Sequence, residues 1–346
     1  MSVKTAEAAF FPLDRRLRIE KYRSTTTGLE RLICDIGLRL PYEQTSELVA
    51  ETLGVKVSAR QVEHVVDRHG QRAIQQREAE VEAAWAAPEP VGRQPEGPDI
   101  LYIEADGAWI NSREGLKMEG KVGVVHQGPV KVGKNRMKLK SAVYVCSFQG
   151  SERLGQELYL EADRQGLERA KHLVFLSDGD RSLREICQTH FFDALYVLDW
   201  FHLRRNLYKA LRGYRAERGG DLAAVAYMTL KDLFWHGEID LALERLDRLR
   251  GQLYGAKARD DITDFKRFVQ NNRDGIGYAD LYEQGFHIGS GPIEKAADLI
   301  INRRCELRGM TWYRDTADGV CNLRTLRFNH PSRWKQFWDT SPTFSC

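Results

Sequence analysis

The chain has 346 residues, of which 42% are apolar, 10% aromatic and 29% charged, a mix that excludes a disordered polymer and supplies enough apolar surface for a real core. No run approaches the roughly 18 consecutive apolar residues of a membrane-spanning helix and the first thirty residues lack an apolar signal core, so a cytoplasmic protein with no membrane partner is expected. Lys and Arg number 52 against 49 Asp and Glu, a net charge of +3, so any surface basic enough for nucleic acid has to be local.

In chain order, Tyr42 to Leu53 follows Pro41 and carries apolar residues at helical spacing. Gly54 ends that helix, and Ser58 is placed to N-cap a second one running from Ala59 towards His69, stopped by Gly70. The outline matches a helix-turn-helix over about residues 41–70, whose second helix would offer Arg60, Gln61 and His64 to a DNA major groove. An ordinary αα-hairpin has the same outline. Four of the ten prolines fall in 88–98, a stretch without apolar periodicity, so a linker is expected there after a helical N-terminal region, 1–87.

Beyond it the period changes. Asp99 to Ala105, Lys121 to Val125 and Ser141 to Ser147 read as strands, 152–171 as a helix, Leu173 to Leu176 as a fourth strand, 181–190 as a second helix and Leu195 to Leu198 as a fifth strand. The order βββαβαβ gives three strands able to pair as a meander, then two crossovers that demand parallel strands. That is how the ribonuclease H-like fold begins, so the class is α/β with a mixed sheet, a domain over 99–330. Residues 203–286 read as an all-helical insertion and 331–346 as a C-terminal tail. Pro292 suits the first turn of a last helix that places Glu294 near its start and runs on through Arg303 and Arg304.

The six cysteines, at 34, 146, 187, 305, 321 and 346, include no C-x-x-C pair and mostly sit in apolar contexts. They read as buried thiols of a reducing compartment, which leaves a zinc enzyme without a ligand cluster.

Three carboxylates stand where chain geometry can gather them. Asp106 in Glu104-Ala105-Asp106-Gly107 is expected to end the first strand, and Asp178 in Ser177-Asp178-Gly179 the fourth. If those strands are neighbours, both carboxylates face one crevice, and Glu294 on a helix beside the sheet completes a triad. Such a triad suits two Mg²⁺ or Mn²⁺ ions roughly 4 Å apart, which serve the attacking and leaving oxygens of a phosphodiester. Taken singly, an Asp-Gly after a strand is a turn or cap, and a Glu in a first helical turn answers the helix dipole. Glu104 is a rival ligand, and Asp180 is placed to cap the helix that follows it.

These motifs resemble those of DDE-type transposases of the Mutator-like and IS256-like kind, the ISKra4/ISLre2 group in particular. The similarity covers Phe10-Phe11-Pro12-Leu13-Asp14, the hairpin 40–70, Glu104 to Gly107, Ser177 to Gly179 with Leu198-Asp199-Trp200-Phe201-His202, and Gly289 to Glu294 through Arg308-Gly309-Met310-Thr311-Trp312. The resemblance implies Asp106, Asp178 and Glu294 as catalytic metal ligands. It also makes Asp199 and His202 an auxiliary pair at a strand-to-helix junction, and implies a homo-oligomer that cuts and joins double-stranded DNA at element ends and target in the nucleoid. Relatives of that kind carry more sequence ahead of the Phe10 stretch.

Basic residues supply the partner. Lys131, Lys134, Arg136, Lys138 and Lys140 crowd the loop between the second and third strands, Arg204, Arg205, Lys209 and Arg212 follow His202, and Arg303, Arg304 and Arg308 follow Glu294. Three such runs around an acidic centre read as a groove for phosphates. Trp312 and Tyr313 are candidates for stacking on an unpaired base, with a core position equally open to Trp312. A DNA-binding remnant without chemistry and a structure-specific nuclease on the same fold are the rival readings.

Overall fold

The structure, a computed structural model, describes residues 25–86, 97–134 and 136–340. The Phe10 to Asp14 stretch, most of the expected linker and Cys346 lie outside them. Two compact units emerge among these residues, one from 25–76 with 315–340, the other from those within 77–314. No helix among the described residues is long and apolar enough to cross a membrane.

The smaller unit is helical. Helices α1 (Thr27–Gly37) and α2 (Tyr42–Leu53) precede α3 (Ala59–Ala86), whose residues from 77 onward belong to the larger unit. Ser58 opens α3 as expected: its Oγ accepts from Gln61 N at 3.2 Å while Gln61 Oε1 accepts from Ser58 N at 2.7 Å, a reciprocal cap. Gly70 does not stop the helix. It lies where α3 meets α14 (Arg314–Phe328), and a Cβ there would come within 2.8 Å of the Gly319 backbone, so the glycine serves close approach. The expected tail is structured through 339. Helix α15 (Pro331–Asp339) buries Trp334, Phe337 and Trp338, and the Arg72 guanidinium lies 3.8 Å from the Phe337 ring centroid.

The larger unit holds a five-stranded mixed sheet. Its strands are β1 (Ile100–Asn111), β2 (Lys117–His126), β5 (Val143–Ser147), β6 (His172–Ser177) and β7 (Leu195–Leu198), in the order β5-β2-β1-β6-β7. β2 pairs antiparallel with β1 and β5, while β1, β6 and β7 run parallel, as the two crossovers through α4 (Ser151–Arg164) and α5 (Arg181–His190) require. The central strands are buried on both faces: Leu101, Ile103, Phe175 and Leu176 are at 0% exposure. Helix α4 covers one face, with the Leu158 side chain pressed against Gly123.

Two expectations are corrected here. The first strand does not end at Asp106, because β2 stays paired with β1 as far as Asn111↔Lys117 and keeps it extended. The basic segment after the second strand is not a loop but an antiparallel ribbon, β3 (Pro129–Gly133) with β4 (Arg136–Leu139), in a sheet of its own.

After β7 the chain is helical through α6 (Trp200–Ala210), α7 (Arg212–Arg218), α8 (Gly220–Trp235), α9 (Ile239–Gly251), α10 (Ala256–Asn271) and α11 (Ala279–Glu283), the all-helical stretch that the sequence indicated. Helix α12 (Gly291–Ala297) then packs on β1 and β2, and its axis continues through a π-type turn (Asp298–Asn302) into the short α13 (Arg303–Cys305). Cys34, Cys146, Cys187, Cys305 and Cys321 are buried.

Candidate active site

The β1/β6 register sets the site. Ala105 pairs with Ser177, the last pair of that register, so Asp106 on β1 and Asp178, just past the end of β6, follow at about one level. Neighbouring strands lie about 4.8 Å apart, and the two carboxylates are near enough for the Asp178 charge to act on Asp106. Burial raises the Asp106 carboxyl, the Asp178 charge raises it further and Glu294 adds to this, against a hydrogen bond from Gly107 N and the His202 charge, to a pKa of about 6. The chain can turn sharply after Asp178 only because residue 179 is glycine: its φ is +88°, and a Cβ would meet Phe268, Leu198 and Asn272 at 2.7–2.9 Å.

Asp199 follows β7, whose Leu198 pairs with Ser177, so it extends the same row by one strand. It caps α6 through Phe201 N (3.2 Å) and His202 N (3.0 Å), accepts from Ser290 N at 2.9 Å, and bonds His202 Nδ1. Burial opposes charge on both partners, but their mutual hydrogen bond outweighs it, so Asp199 is held below and His202 above the ordinary values. The His202 ring, held through Nδ1 by Asp199, lies close enough to Asp106 and Asp178 for the charges to act on one another.

Glu294 stands in the first turn of α12, near enough for its charge to act on Asp106, but its Oε1 accepts from Ser290 Oγ at 2.9 Å. Among the described residues no three His, Cys, Asp or Glu side chains stand close enough together to hold a metal ion. The donors are all carboxylate oxygens, the chemistry a hard divalent cation takes, and Asp178 raises the Asp106 carboxyl beside it. Asp106 and Asp178 thus offer two carboxylates, while the Glu294 carboxylate is turned to Ser290.

Glu104, the rival ligand, faces the same side but is at 0% exposure and engaged. Its Oε1 bonds His126 Nε2 at 2.9 Å and its Oε2 accepts from Ile293 N at 3.2 Å. Burial pushes Glu104 up to about 8, against His287 and the Ile293 amide, and pushes His126 down to about 4. Tyr102 stacks on His126 and accepts from His287 N at 3.0 Å. Asp180 caps α5, accepting from Ser182 N at 2.9 Å. Sequence reasoning passed over Tyr102, His126 and Ser290. Tyr102 and His126 fall at alternate positions with Glu104 and Val124 on paired strands, and that period-2 pattern is the signal that marks them.

The basic runs are not gathered as one ring. Arg205, Lys209 and Arg212 are exposed and start one turn from His202, whereas Arg204 lies partly buried, its guanidinium 5.8 Å from the Trp200 ring and 5.9 Å from Phe201. Arg303 pairs with Asp298 at 2.7 Å, and Arg308 is exposed. Arg304 is corrected to the interior: at 0% exposure it stacks 4.8 Å from Trp312, which is buried and donates Nε1–H to Cys305 O. Tyr313 stays 52% exposed. The ribbon residues Lys131, Lys134, Arg136, Lys138 and Lys140 are all exposed. They rise from the His126 end of β2, roughly 13 Å along the strand from the level of Asp106. Arg60, Gln61 and His64 are exposed on α3.

A curated relative from Streptococcus gallolyticus, named "UPF0236 protein in vanSb 3'region", is 26% identical over 333 residues, covering 94% of this chain and 69% of its own length. Residues 4–339 match the family described as "Uncharacterised protein family (UPF0236)", and the chain belongs to that family.

Proposed function

We propose that this chain is a DDE-type transposase that cleaves DNA strands at element ends and joins them to target DNA, with Asp106, Asp178 and Glu294 as its catalytic carboxylates. The placement of Asp106 on β1 beside Asp178, which directly follows the neighbouring parallel strand β6, carries this reading. The sheet order, third-second-first-fourth-fifth once the ribbon is set aside, supports a ribonuclease H-like frame beneath it. The relative's printed name sets its gene beside another gene, vanSb, and goes no further.

Asp106, Asp178 and Glu294 would hold Mg²⁺ or Mn²⁺, which when bound supplies charge stabilisation on the phosphoryl oxygens. The protein's own residues position the reactants. When protonated, the His202 ring fixed by Asp199 would donate its Nε2–H to a non-bridging phosphate oxygen, and Arg205 and Lys209 continue a cationic track along α6. A water, and then a DNA 3′-hydroxyl, would attack in line at this edge of the sheet, each step a phosphoryl transfer. The β3–β4 ribbon, with the dimensions a major groove accepts, and the exposed face of α3 would hold duplex DNA.

The test is incubation of purified protein with labelled duplexes from the borders of its own gene and with supercoiled plasmid, in Mg²⁺ or EDTA. Metal-dependent joined product is expected. Cleavage without joining would favour a nuclease, and binding with neither would favour a DNA-binding remnant, the reading to which the Ser290–Glu294 bond lends weight.

A further inference from the structure

Helix α12 lacks the usual N-terminal device. Ser290 is its N-cap residue, but the hydroxyl points to Glu294 instead of a backbone amide, and Pro292 has no N–H to offer. The third helical amide, Ile293 N–H, is the one that an N-cap side chain ordinarily satisfies. Here it is satisfied from another element altogether, by Glu104 Oε2 on β1 at 3.2 Å.

The other oxygen of Glu104 is fixed just as firmly. Gly128 N donates to His126 Nδ1 at 3.0 Å, so that nitrogen carries no proton, and the neutral ring bears its hydrogen on Nε2, aimed at Glu104 Oε1 at 2.9 Å. Both oxygens of Glu104 thus face donors, one from the end of β2 and one from the start of α12. Tyr102 and Asp199 add two more acceptors for the approach to the helix, at His287 N and Ser290 N. Three side chains grip the backbone of residues 287–293, and Glu104 is the one within a residue of Glu294.

We propose that Glu104, with both oxygens engaged, is a positioning residue that docks the start of α12 on β1 and thereby sets where the Glu294 carboxylate can reach. This assignment rests on the reading of Glu294 as a metal ligand, and it removes Glu104 from the ligand set.

Two measurements on the full chain test it. In Glu104→Ala, hydrogen exchange across 291–297 speeds up by about tenfold while peptides of the smaller unit keep their protection. Glu104→Gln keeps the volume but can satisfy only one of the two donors, and gives a smaller acceleration at the same peptides, so a misfolded alanine variant does not end the test. Unchanged exchange at 291–297 in both variants overturns the proposal. In the second measurement, titration with Mn²⁺ alone, Glu104→Ala weakens binding by about tenfold, the effect of losing an outer-shell partner. Added to Glu294→Gln it costs nothing further, because the helix then has no ligand left to place. An additive loss in the double variant makes Glu104 a ligand and also overturns the proposal. If the wild-type chain binds no Mn²⁺, the metal reading fails, and the exchange experiment alone decides the role of Glu104.

Discussion

Ser290 donates its hydroxyl to Glu294 Oε1 at 2.9 Å and its backbone N–H to Asp199 Oδ1 at the same distance, so one buried serine ties the third carboxylate to the auxiliary pair. For Glu294 to join Asp106 and Asp178 around a cation, that hydroxyl has to let go. Ser290→Ala removes the competing donor and keeps the backbone bond. Since such a bond is worth about 1 kcal/mol, the variant is expected to bind Mn²⁺ roughly fivefold more tightly by calorimetry. Weaker binding would mean that the hydroxyl orients Glu294 for the metal.

Asp106 carries a cost in the folded state that the neighbouring charges explain. Burial first and Asp178 second lift it to about 6, so the ionised form is disfavoured where it stands. Asp106→Asn removes that conflict and is expected to raise thermal stability by about 1 kcal/mol. The same change should lower metal-dependent strand cleavage by about 10³-fold while duplex binding persists. A gel assay and a melting curve on one preparation check both, and retained cleavage removes Asp106 from the catalytic set.

How far the sequence carried varies by element, and the reasons are physical. The alternation of parallel strands and crossover helices is a property of period and length, and it put Asp106 beside Asp178 through the Ala105↔Ser177 register. Where β1 ends depends on a partner: Asp106-Gly107 has the composition of a turn, yet β2 holds it extended for five more residues. Arg304 has the sequence context of a phosphate contact, and only the packing of Trp312 against it reveals a core position. Gly70 has the look of a helix stop because nothing local records that Gly319 approaches it. The Glu104–Ile293 bond joins residues 189 positions apart, and no local pattern signals it.

The β3–β4 ribbon is expected to hold DNA by charge alone. Its five cations are solvent-exposed and the stretch from Pro129 to Lys140 contains no acidic residue. Lys131→Glu with Lys138→Glu should lower the dependence of log K on log salt by about 2 for duplex DNA. Stability should move by less than about 0.5 kcal/mol, because neither side chain is buried. Fluorescence anisotropy across a salt series measures the slope. An unchanged slope would show that the ribbon does not touch phosphates.

In the smaller unit, Glu30 and His69 make folding sensitive to acid. Burial opposes the Glu30 charge, but hydrogen bonds from His69 and Thr25 and the Arg68 guanidinium at 2.6 Å outweigh it and hold the carboxyl to about 2. Burial also pushes His69 below its ordinary 6.5, against the pull of Glu30. Both folded values are depressed, so both groups contribute stability that is complete above the unfolded values and lost as pH falls. His69 begins to lose it below about 6.5, and Glu30 between about 4.5 and 2. Glu30→Gln should cost about 2 kcal/mol at pH 7 and remove the loss in the lower window while leaving the one that begins near 6.5. Hydrogen exchange of peptides from 25–76 and 315–340 at pH 7, 5.5 and 4, corrected for intrinsic rates, reads this. Equal protection at all three pH values in the wild-type chain would show that the pair does not govern the stability of this unit.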